Sequence, residues 1–223
     1  MIKKAGLLLI LSVPVLFLYA QDLPVKEWNA SSHSGPFIFY ITGDGGLNKF
    51  SNGLCASLNN KGFDVVALDA KSYFWKKKTP EKTTEDISNF LIQKIAGRPD
   101  QQIIFIGYSF GADVLPFVLN RLPVNLRKKV QASFIIGSSG NTDFETHLLD
   151  MLGVGKNRGL DVLTEVNKLG DSRVVVISSE DDKGLNTKGI SLKNVVEVTL
   201  PGGHHFDGDP GELAGVIVKY SGK

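Results

Sequence analysis

The stretch from Gln101 to Asp113 constrains the fold of this 223-residue chain more than any other part of it. It is an apolar run that ends in Gly-Tyr-Ser-Phe-Gly at residues 107–111 and continues into a segment of helical character. A serine with glycines two positions before and after it is typical of a buried strand that turns sharply into a helix, because glycines let the two backbones approach. Such a turn, the nucleophile elbow, holds the serine hydroxyl at its tip. Ser109 is therefore the candidate nucleophile.

Strand and helix patterns alternate along the rest of the chain, and this context strengthens a motif that recurs by chance. Short apolar runs predict strands at residues 36–41, 63–68, 103–106, 130–137, 173–177 and 194–200. Apolar spacing and capping residues predict helices at residues 48–60, 79–97, 112–120, 161–169 and 210–220. The alternation predicts a mostly parallel sheet with helices on both faces, and with the elbow it predicts an α/β-hydrolase fold. Residues 23–35 are polar and irregular, and the glycine-broken segment at 142–168 leaves room for little or no cap.

The first twenty residues predict an export signal. Two lysines precede an apolar run at residues 5–19, and Ala20 stands before a polar pair. This is the order of a secretory signal peptide, and the run is shorter than the roughly 20 residues of a membrane-spanning helix. A membrane anchor is the alternative. We expect cleavage, a single domain at residues 21–223, and a periplasmic or secreted location.

The composition narrows the possible partners. A formal net charge of +2 argues against a nucleic-acid binder, which would carry a strongly basic surface. Cys55 is the single cysteine, so the chain forms no internal disulfide. It lies in a helical pattern, where a buried small residue is expected rather than a reactive thiol. Cysteines and histidines do not have the spacing of metal ligands, so we expect no metal and no cofactor.

Candidates for the partners of Ser109 follow in the chain order of hydrolases, which is serine, acid, histidine. Glu180, Asp181 and Asp182 come after one predicted strand, and the pair His204-His205 comes after the next. A glycine before the histidine and an aromatic residue two positions after it favour His204 as the base, with His205 as the alternate. Asp181 is the preferred acid and Asp182 its alternate. A histidine is needed because a serine hydroxyl is a poor nucleophile until a base takes its proton.

Two backbone amides are candidates for an oxyanion hole. The turn Thr42-Gly-Asp-Gly-Gly46 follows an early predicted strand, where small residues let an amide face the serine. We expect the donors to be the N–H groups of Asp44 and Phe110. A plain strand-to-helix turn is the alternative.

The loop from Lys71 to Pro80 combines three aromatic residues with three lysines. Tyr73, Phe74 and Trp75 cannot all bury on one face of a short loop, so some aromatic surface should border a cleft or an interface. The lysines that begin at Lys76 would attract an anionic head group or membrane surface. These four residues are therefore the predicted substrate contacts. The alternative is a solvated run of charge beside a packed aromatic residue.

Taken together, these motifs resemble the bacterial virulence-factor VirJ/AcvB family. The resemblance rests on residues 42–46, 73–75 with 79–81, 107–113, 180–182 and 203–207, which span almost all of the chain after the signal. It implies a periplasmic serine hydrolase of α/β-hydrolase fold. Some members of the family are implicated in removing lysine from lysyl-phosphatidylglycerol.

The resulting hypothesis is an exported serine hydrolase that cleaves a small-molecule or lipid ester through an acyl-enzyme, with peripheral contact to an anionic membrane and no nucleic acid. The aminoacyl ester of lysyl-phosphatidylglycerol is the substrate that the resemblance implies. Asp113 or Asp207 could meet its amino group, although Asp113 fits equally a cap or pair within its helix. A general carboxylesterase or thioesterase is one alternative. A non-catalytic periplasmic binding protein on a hydrolase scaffold is the other.

Overall fold

The computed structural model describes residues 23–31, 35–146, 159–181 and 184–222. The signal peptide predicted at residues 1–20, the alternate acid Asp182 and residues 147–158 of the region considered for a cap lie outside these ranges. Within them, no helix is both long and apolar enough to cross a bilayer.

A seven-stranded sheet runs through the centre of the described structure. The strands of the chain are β1 (Val25–Trp28), β2 (Phe37–Ile41), β3 (Asp64–Leu68), β4 (Ile103–Tyr108), β5 (Val130–Ile136), β6 (Asn141–Thr142), β7 (Leu160–Asp161), β8 (Val174–Ser179) and β9 (Val195–Leu200). The order across the central sheet is β1-β3-β2-β4-β5-β8-β9, and every neighbouring pair is parallel except β1 with β3. This mostly parallel sheet confirms the predicted fold class. The short β6 and β7 pair with each other as a separate ribbon.

Helices cover both faces of the sheet. They are α1 (Lys49–Asn60), α2 (Ala70–Tyr73), α3 (Pro80–Lys94), α4 (Phe110–Arg121), α5 (Val124–Arg127), α6 (Val162–Val166) and α7 (Pro210–Tyr220), with 3-10 turns at Thr187–Gly189 and Phe206–Gly208. α1 and α7 pack on one face, and α3, α4 and α6 on the other. Successive residues of a strand point to opposite faces, so Phe39 of β2 joins one apolar cluster and Tyr40 the other.

Local sequence explains where the helices begin. The side chain of Asn48 accepts a hydrogen bond from the Ser51 amide, and Thr79 accepts one from the Lys82 amide. Asp209 accepts from the amides of Gly211 and Glu212 at the start of α7. Such side chains satisfy amides that have no partner within their helix. The predicted starts of α1, α3 and α7 agree with the structure to within one residue.

Residues 23–35 differ from the prediction. Val25–Trp28 forms an edge strand that pairs antiparallel with β3, where an irregular segment was expected. The strand is short, and its middle residues Lys26 and Glu27 are exposed. Four residues with charged centres carry too weak a pattern to indicate a strand, because the partner that stabilises it lies some 40 positions away.

Candidate active site

The turn between β4 and α4 has the backbone of a nucleophile elbow. Ser109 has φ 53° and ψ −119°, a conformation that side-chain-bearing residues rarely adopt. A side chain on Gly107 would lie 2.5 Å from the carbonyl oxygen of Gly111, and one on Gly111 would overlap the carbonyl oxygen of Ile41. Both glycines are therefore required by space. The expectation drawn from the five-residue motif is met by this geometry.

His204 lies against the serine. Its Nε2 is 2.8 Å from Ser109 Oγ, although the two residues are 95 positions apart. The loop after β9 carries His204 to this point, and Phe206 anchors that loop in the core. Phe206 and Asp207 both have positive φ, 49° and 53°, so this loop too adopts a strained backbone. The favoured histidine is thus the one that the fold brings to the serine.

The two amides considered for the oxyanion hole belong to the turn after β2 and to the start of α4. A side chain on Gly43 would lie 3.3 Å from Ser109 Cβ, so the turn after β2 runs directly beside the serine. Within the described part of the chain, neither the Asp44 amide nor the Phe110 amide donates a hydrogen bond. Phe110 is the first residue of α4, where amides have no partner in the helix. Both donors are therefore available to a ligand.

Of the two acid candidates, the structure describes only Asp181. Asp181 is exposed, and across the described ranges its carboxylate makes no hydrogen bond to His204 or any other residue. Asp182 lies outside the described residues. The strand β8 that precedes this loop is parallel to β4 and two positions from it in the sheet. The loop therefore begins at the carboxyl edge, where Ser109 lies.

Comparisons with known proteins identify the family and the fold. The family model described as bacterial virulence protein (VirJ) matches residues 36–222. This chain belongs to the VirJ family. No curated protein matches it.

Solved structures show the fold of this VirJ-family chain. It is similar to the proline iminopeptidase of Mycobacterium smegmatis (14% identity, 88% of this chain and 93% of that chain, TM-score 0.63). It is also similar to Est1E from Butyrivibrio proteoclasticus (14%, 89% and 93%, 0.58) and to the thioesterase domain from the curacin biosynthetic pathway (13%, 87% and 94%, 0.57). At these identities the likeness shows the α/β-hydrolase fold alone, which confirms the predicted fold.

Asp113 of α4 supports the site from behind and does not line it. Its buried carboxylate accepts hydrogen bonds from the hydroxyl groups of Ser138 and Ser139 and from the amides of Ser139 and Gly140. Burial raises the pKa of Asp113 to about 6, and those four donors oppose the rise. The suggestion that Asp113 meets a substrate amino group is therefore wrong. It pairs instead with the loop after β5, which also differs from a cap within its own helix.

The aromatic loop divides into a buried and an exposed part. Phe74 is fully buried and packs against Phe110, and Tyr73 is 8% exposed and donates its hydroxyl to Asp86. The core uses both rings, so neither is exposed for a substrate in this structure. Trp75 is 56% exposed and Lys76 is also exposed, so these two remain available. The sequence pattern does not distinguish an aromatic ring at the rim from one beneath it.

Other candidate features lie away from the serine. Cys55 is buried and its pKa is raised to about 12 by desolvation, which fits the expected inert residue. In the part of the chain that the structure describes, no group of histidine, cysteine and acidic side chains could hold a metal ion. A pocket of about 420 Å³ lies at the opposite edge of the sheet and is lined by residues 35–36, 98–102 and 131. It contains none of the groups described above.

One contact was missed by the sequence analysis. The hydroxyl of Tyr108, the residue before the serine, lies 2.9 Å from the carbonyl oxygen of His204 and 2.7 Å from Nδ1 of His205. The available signal was a hydroxyl-bearing ring beside the serine together with two consecutive histidines. Spacing along the chain does not predict that they meet.

Proposed function

We propose that this chain is a serine hydrolase that cleaves carboxylic esters through a covalent acyl-serine. The observation that carries the proposal is the 2.8 Å separation of Ser109 Oγ and His204 Nε2 at a strained strand-to-helix turn. A histidine in hydrogen-bond contact with a serine can take its proton as the serine attacks a carbonyl carbon.

The reaction proceeds in two halves. Ser109 Oγ forms a bond to the ester carbonyl carbon while His204 Nε2 takes its proton, and the oxyanion lies against the free amides of Asp44 and Phe110. The carbon–oxygen bond to the alcohol then breaks, and His204 gives its proton to that leaving oxygen. Water repeats the sequence on the acyl-serine, and His204 again takes and returns the proton. A carboxylate from Asp181 or Asp182 holds the imidazole in the required tautomer.

The proposed substrate is the aminoacyl ester of lysyl-phosphatidylglycerol, which joins a cationic amino acid to an anionic lipid. Membership of the VirJ family supports it. The exposed Asp207, three positions after His204, is suited to meet the amino group. The exposed pair Trp75-Lys76 follows α2 at the carboxyl end of β3, and it is suited to the lipid head group and the membrane surface.

A fluorophosphonate probe tests the catalytic proposal without knowledge of the substrate. We expect the wild-type protein to be labelled and Ser109→Ala to remain unlabelled, because the probe reacts with an activated serine hydroxyl. Lack of labelling in both proteins would favour the non-catalytic binding protein instead.

A comparison of substrates tests the finer proposal. The purified protein is assayed on lysyl-phosphatidylglycerol and on short acyl esters and thioesters. Asp207→Asn tolerates the left-handed backbone and removes the charge, so it should raise KM for the lysyl lipid and leave the neutral esters unchanged. Faster turnover of the short esters, with no effect of Asp207→Asn, would identify a general carboxylesterase or thioesterase.

Vesicle sedimentation tests the membrane contact. Binding should be stronger to vesicles that contain phosphatidylglycerol than to pure phosphatidylcholine, and Trp75→Ala should weaken it several-fold, on the order of 1 kcal/mol. Val124→Ala is the matched control, since Val124 is 65% exposed but lies on α5 at the other edge of the sheet. Equal binding by both variants would remove the membrane from the proposal.

Export is tested separately. N-terminal sequencing of the protein recovered from the periplasm or the medium should begin close to residue 21, after the predicted signal. Recovery of the uncleaved chain with the membrane fraction would support an anchor.

A further inference from the structure

We propose that Tyr108 and His205 form a clamp that positions His204 for the transfer of a proton from Ser109. This inference rests on the proposed serine hydrolase function and deepens it. Neither residue of the clamp touches the reacting atoms in this role. Both act through the loop that carries the base.

Tyr108 lies beside the two residues that must meet, Ser109 and His204. Tyr108 is the last residue of β4, and its ring is 3% exposed within the apolar cluster that faces α1 and α7. The ring lies 5.0 Å from that of Phe50 and 5.6 Å from that of His204, centre to centre. A rigid strand end therefore carries both the serine and the tyrosine that contacts the histidine loop.

The two contacts of the Tyr108 hydroxyl share a single hydrogen. A phenol has one hydrogen to donate, and the carbonyl oxygen of His204 can only accept. The 2.9 Å contact to that oxygen therefore uses the hydroxyl hydrogen of Tyr108. The 2.7 Å contact to His205 Nδ1 must then run the other way, with Nδ1–H donating to the tyrosine oxygen. The two contacts together require a proton on Nδ1 of His205.

His204 is attached to the end of β4 at two points. Its Nε2 meets the serine, and its own carbonyl is held by the residue next to that serine. The side chain and the backbone of the base are thus both attached to one short piece of chain. Because a misplacement of about 1 Å can lower a rate by roughly 100-fold, such a double attachment bears directly on proton transfer.

The same geometry gives the second histidine a role. His205 is exposed and its ring lies beside those of Phe50 and Tyr108, whereas His204 is the residue that contacts Ser109. Its Nδ1–H completes the hydrogen bonding of the tyrosine oxygen. His205 is therefore a positioning residue, and the alternate assignment of His205 as the base is not needed.

The rate constant for fluorophosphonate labelling of Ser109 measures the effect. Tyr108→Phe keeps the ring and removes the hydroxyl, and it should lower this rate constant roughly 10- to 100-fold. Tyr40→Phe is the matched control, because Tyr40 belongs to the same apolar cluster and, among the described residues, its buried hydroxyl is hydrogen-bonded to Ser51, 3.2 Å away. Tyr40→Phe should label at the wild-type rate. Wild-type labelling of Tyr108→Phe would overturn the proposal.

Two variants of the exposed His205 avoid any failure to fold. In His205→Asn the side-chain nitrogen can occupy the position of Nδ1 and donate the same hydrogen bond, so labelling should stay within about threefold of wild type. His205→Leu removes the donor and should slow labelling as much as Tyr108→Phe does. The double variant Tyr108→Phe/His205→Leu should label no more slowly than either single variant, because both remove the same contact. If His205→Asn were as inactive as Ser109→Ala, His205 would be the base and the clamp would be wrong.

A spectroscopic readout separates the clamp from the hydrolase proposal. In the NMR spectrum of ¹⁵N-histidine-labelled protein, the signals that disappear in His205→Asn belong to the His205 ring. In the wild type these signals should show a proton on Nδ1. Tyr108→Phe should shift that ring toward the Nε2–H form that free imidazole side chains favour. A wild-type ring protonated on Nε2 would overturn the clamp even if the serine labels. An Nδ1 proton in a protein that does not label would retain the clamp and reject the hydrolase.

Discussion

The two edges of the parallel sheet differ in how completely their polar groups are satisfied. At the carboxyl edge, the Asp44 and Phe110 amides donate no hydrogen bond within the described chain, and Ser109 adopts a strained conformation. At the amino edge, Gln101 donates its amide hydrogens to the carbonyl oxygens of Gly35 and Gln102, and Arg98 bonds to a backbone carbonyl.

The described cavity and the groups suited to chemistry lie at different edges of the sheet. The pocket of about 420 Å³ is at the amino edge, whereas the groups suited to chemistry lie at the carboxyl edge. Parallel strands direct their carboxyl ends, and the loops that follow them, toward the ligand. Free donors and backbone strain mark the candidate site at the carboxyl edge.

The largest expected effect is the loss of reactivity when the base at the carboxyl edge is replaced, while a substitution at the amino edge has no effect. His204→Asn should lower the rate of fluorophosphonate labelling about 10⁴-fold, because the serine loses its base. Gln102→Ala, in the lining of the amino-edge pocket, should label at the wild-type rate. A comparable loss in Gln102→Ala would move the site to that pocket.

A pair of glycine substitutions compares the two edges in stability. Gly111→Ala should cost more than about 4 kcal/mol of unfolding free energy, since its Cβ would overlap the backbone of β2 and the strand cannot move aside. Gly97→Ala should cost about 1 kcal/mol, because Gly97 has φ 80° but nothing within 4 Å of its Cβ position. Chemical denaturation measures both. A cost for Gly111→Ala no greater than that for Gly97→Ala would show that close approach to β2 does not require a glycine at position 111.

The buried carboxylate of Asp113 makes stability at the carboxyl edge depend on pH. Its pKa is raised by burial to about 6, so the folded state binds the proton more tightly than the unfolded state does. This contribution to stability is complete below pH 4 and is lost as the pH rises through about 6. Asp113→Asn keeps an acceptor for three of the four donors, and it should remove this loss.

Asp113→Ala is the matched variant for that prediction. It removes the acceptor of the Ser138 hydroxyl and of the Ser139 amide, and it should be about 3 kcal/mol less stable than Asp113→Asn. Thermal or denaturant unfolding from pH 4 to pH 7 measures the three proteins. A wild-type protein with the same pH dependence as Asp113→Asn would contradict the titration of this group.

The smallest expected effect is that of replacing Asp181. Asp181 is exposed and unbonded within the described chain, so Asp181→Asn should change the labelling rate less than about threefold. Asp182→Asn is then the variant expected to lower it strongly, by up to about 10⁴-fold, as loss of a triad acid does. The reverse result would return the role to Asp181.

Patterns contained within one element were sufficient to predict most of the fold. The all-apolar runs of β2 and β4 indicate strands covered on both faces, and the residues before α1 and α3 cap those helices as expected. The serine and the favoured histidine followed from motif and chain order. These features depend on short-range sequence, which a single chain displays directly.

The remaining features depend on distant partners. β1 is held by β3, Tyr73 and Phe74 are buried by α3 and α4, and Tyr108 meets a loop 96 positions away. Asp113 looked like a residue of its own helix but bonds to the loop after β5. None of these contacts leaves a periodic signal, because each is decided by how the layers pack.

Strain at Ser109, Phe206 and Asp207 has a consequence for the evolution of this chain. Each holds a left-handed conformation that costs on the order of 1–3 kcal/mol, and all three sit in the two loops that bring hydroxyl and imidazole together. Lineages selected only for resistance to heat would gain by relaxing them and would lose the alignment in doing so. Thermotolerant descendants that keep their activity should therefore retain the conformation of these three residues and gain stability through substitutions at the amino edge of the sheet.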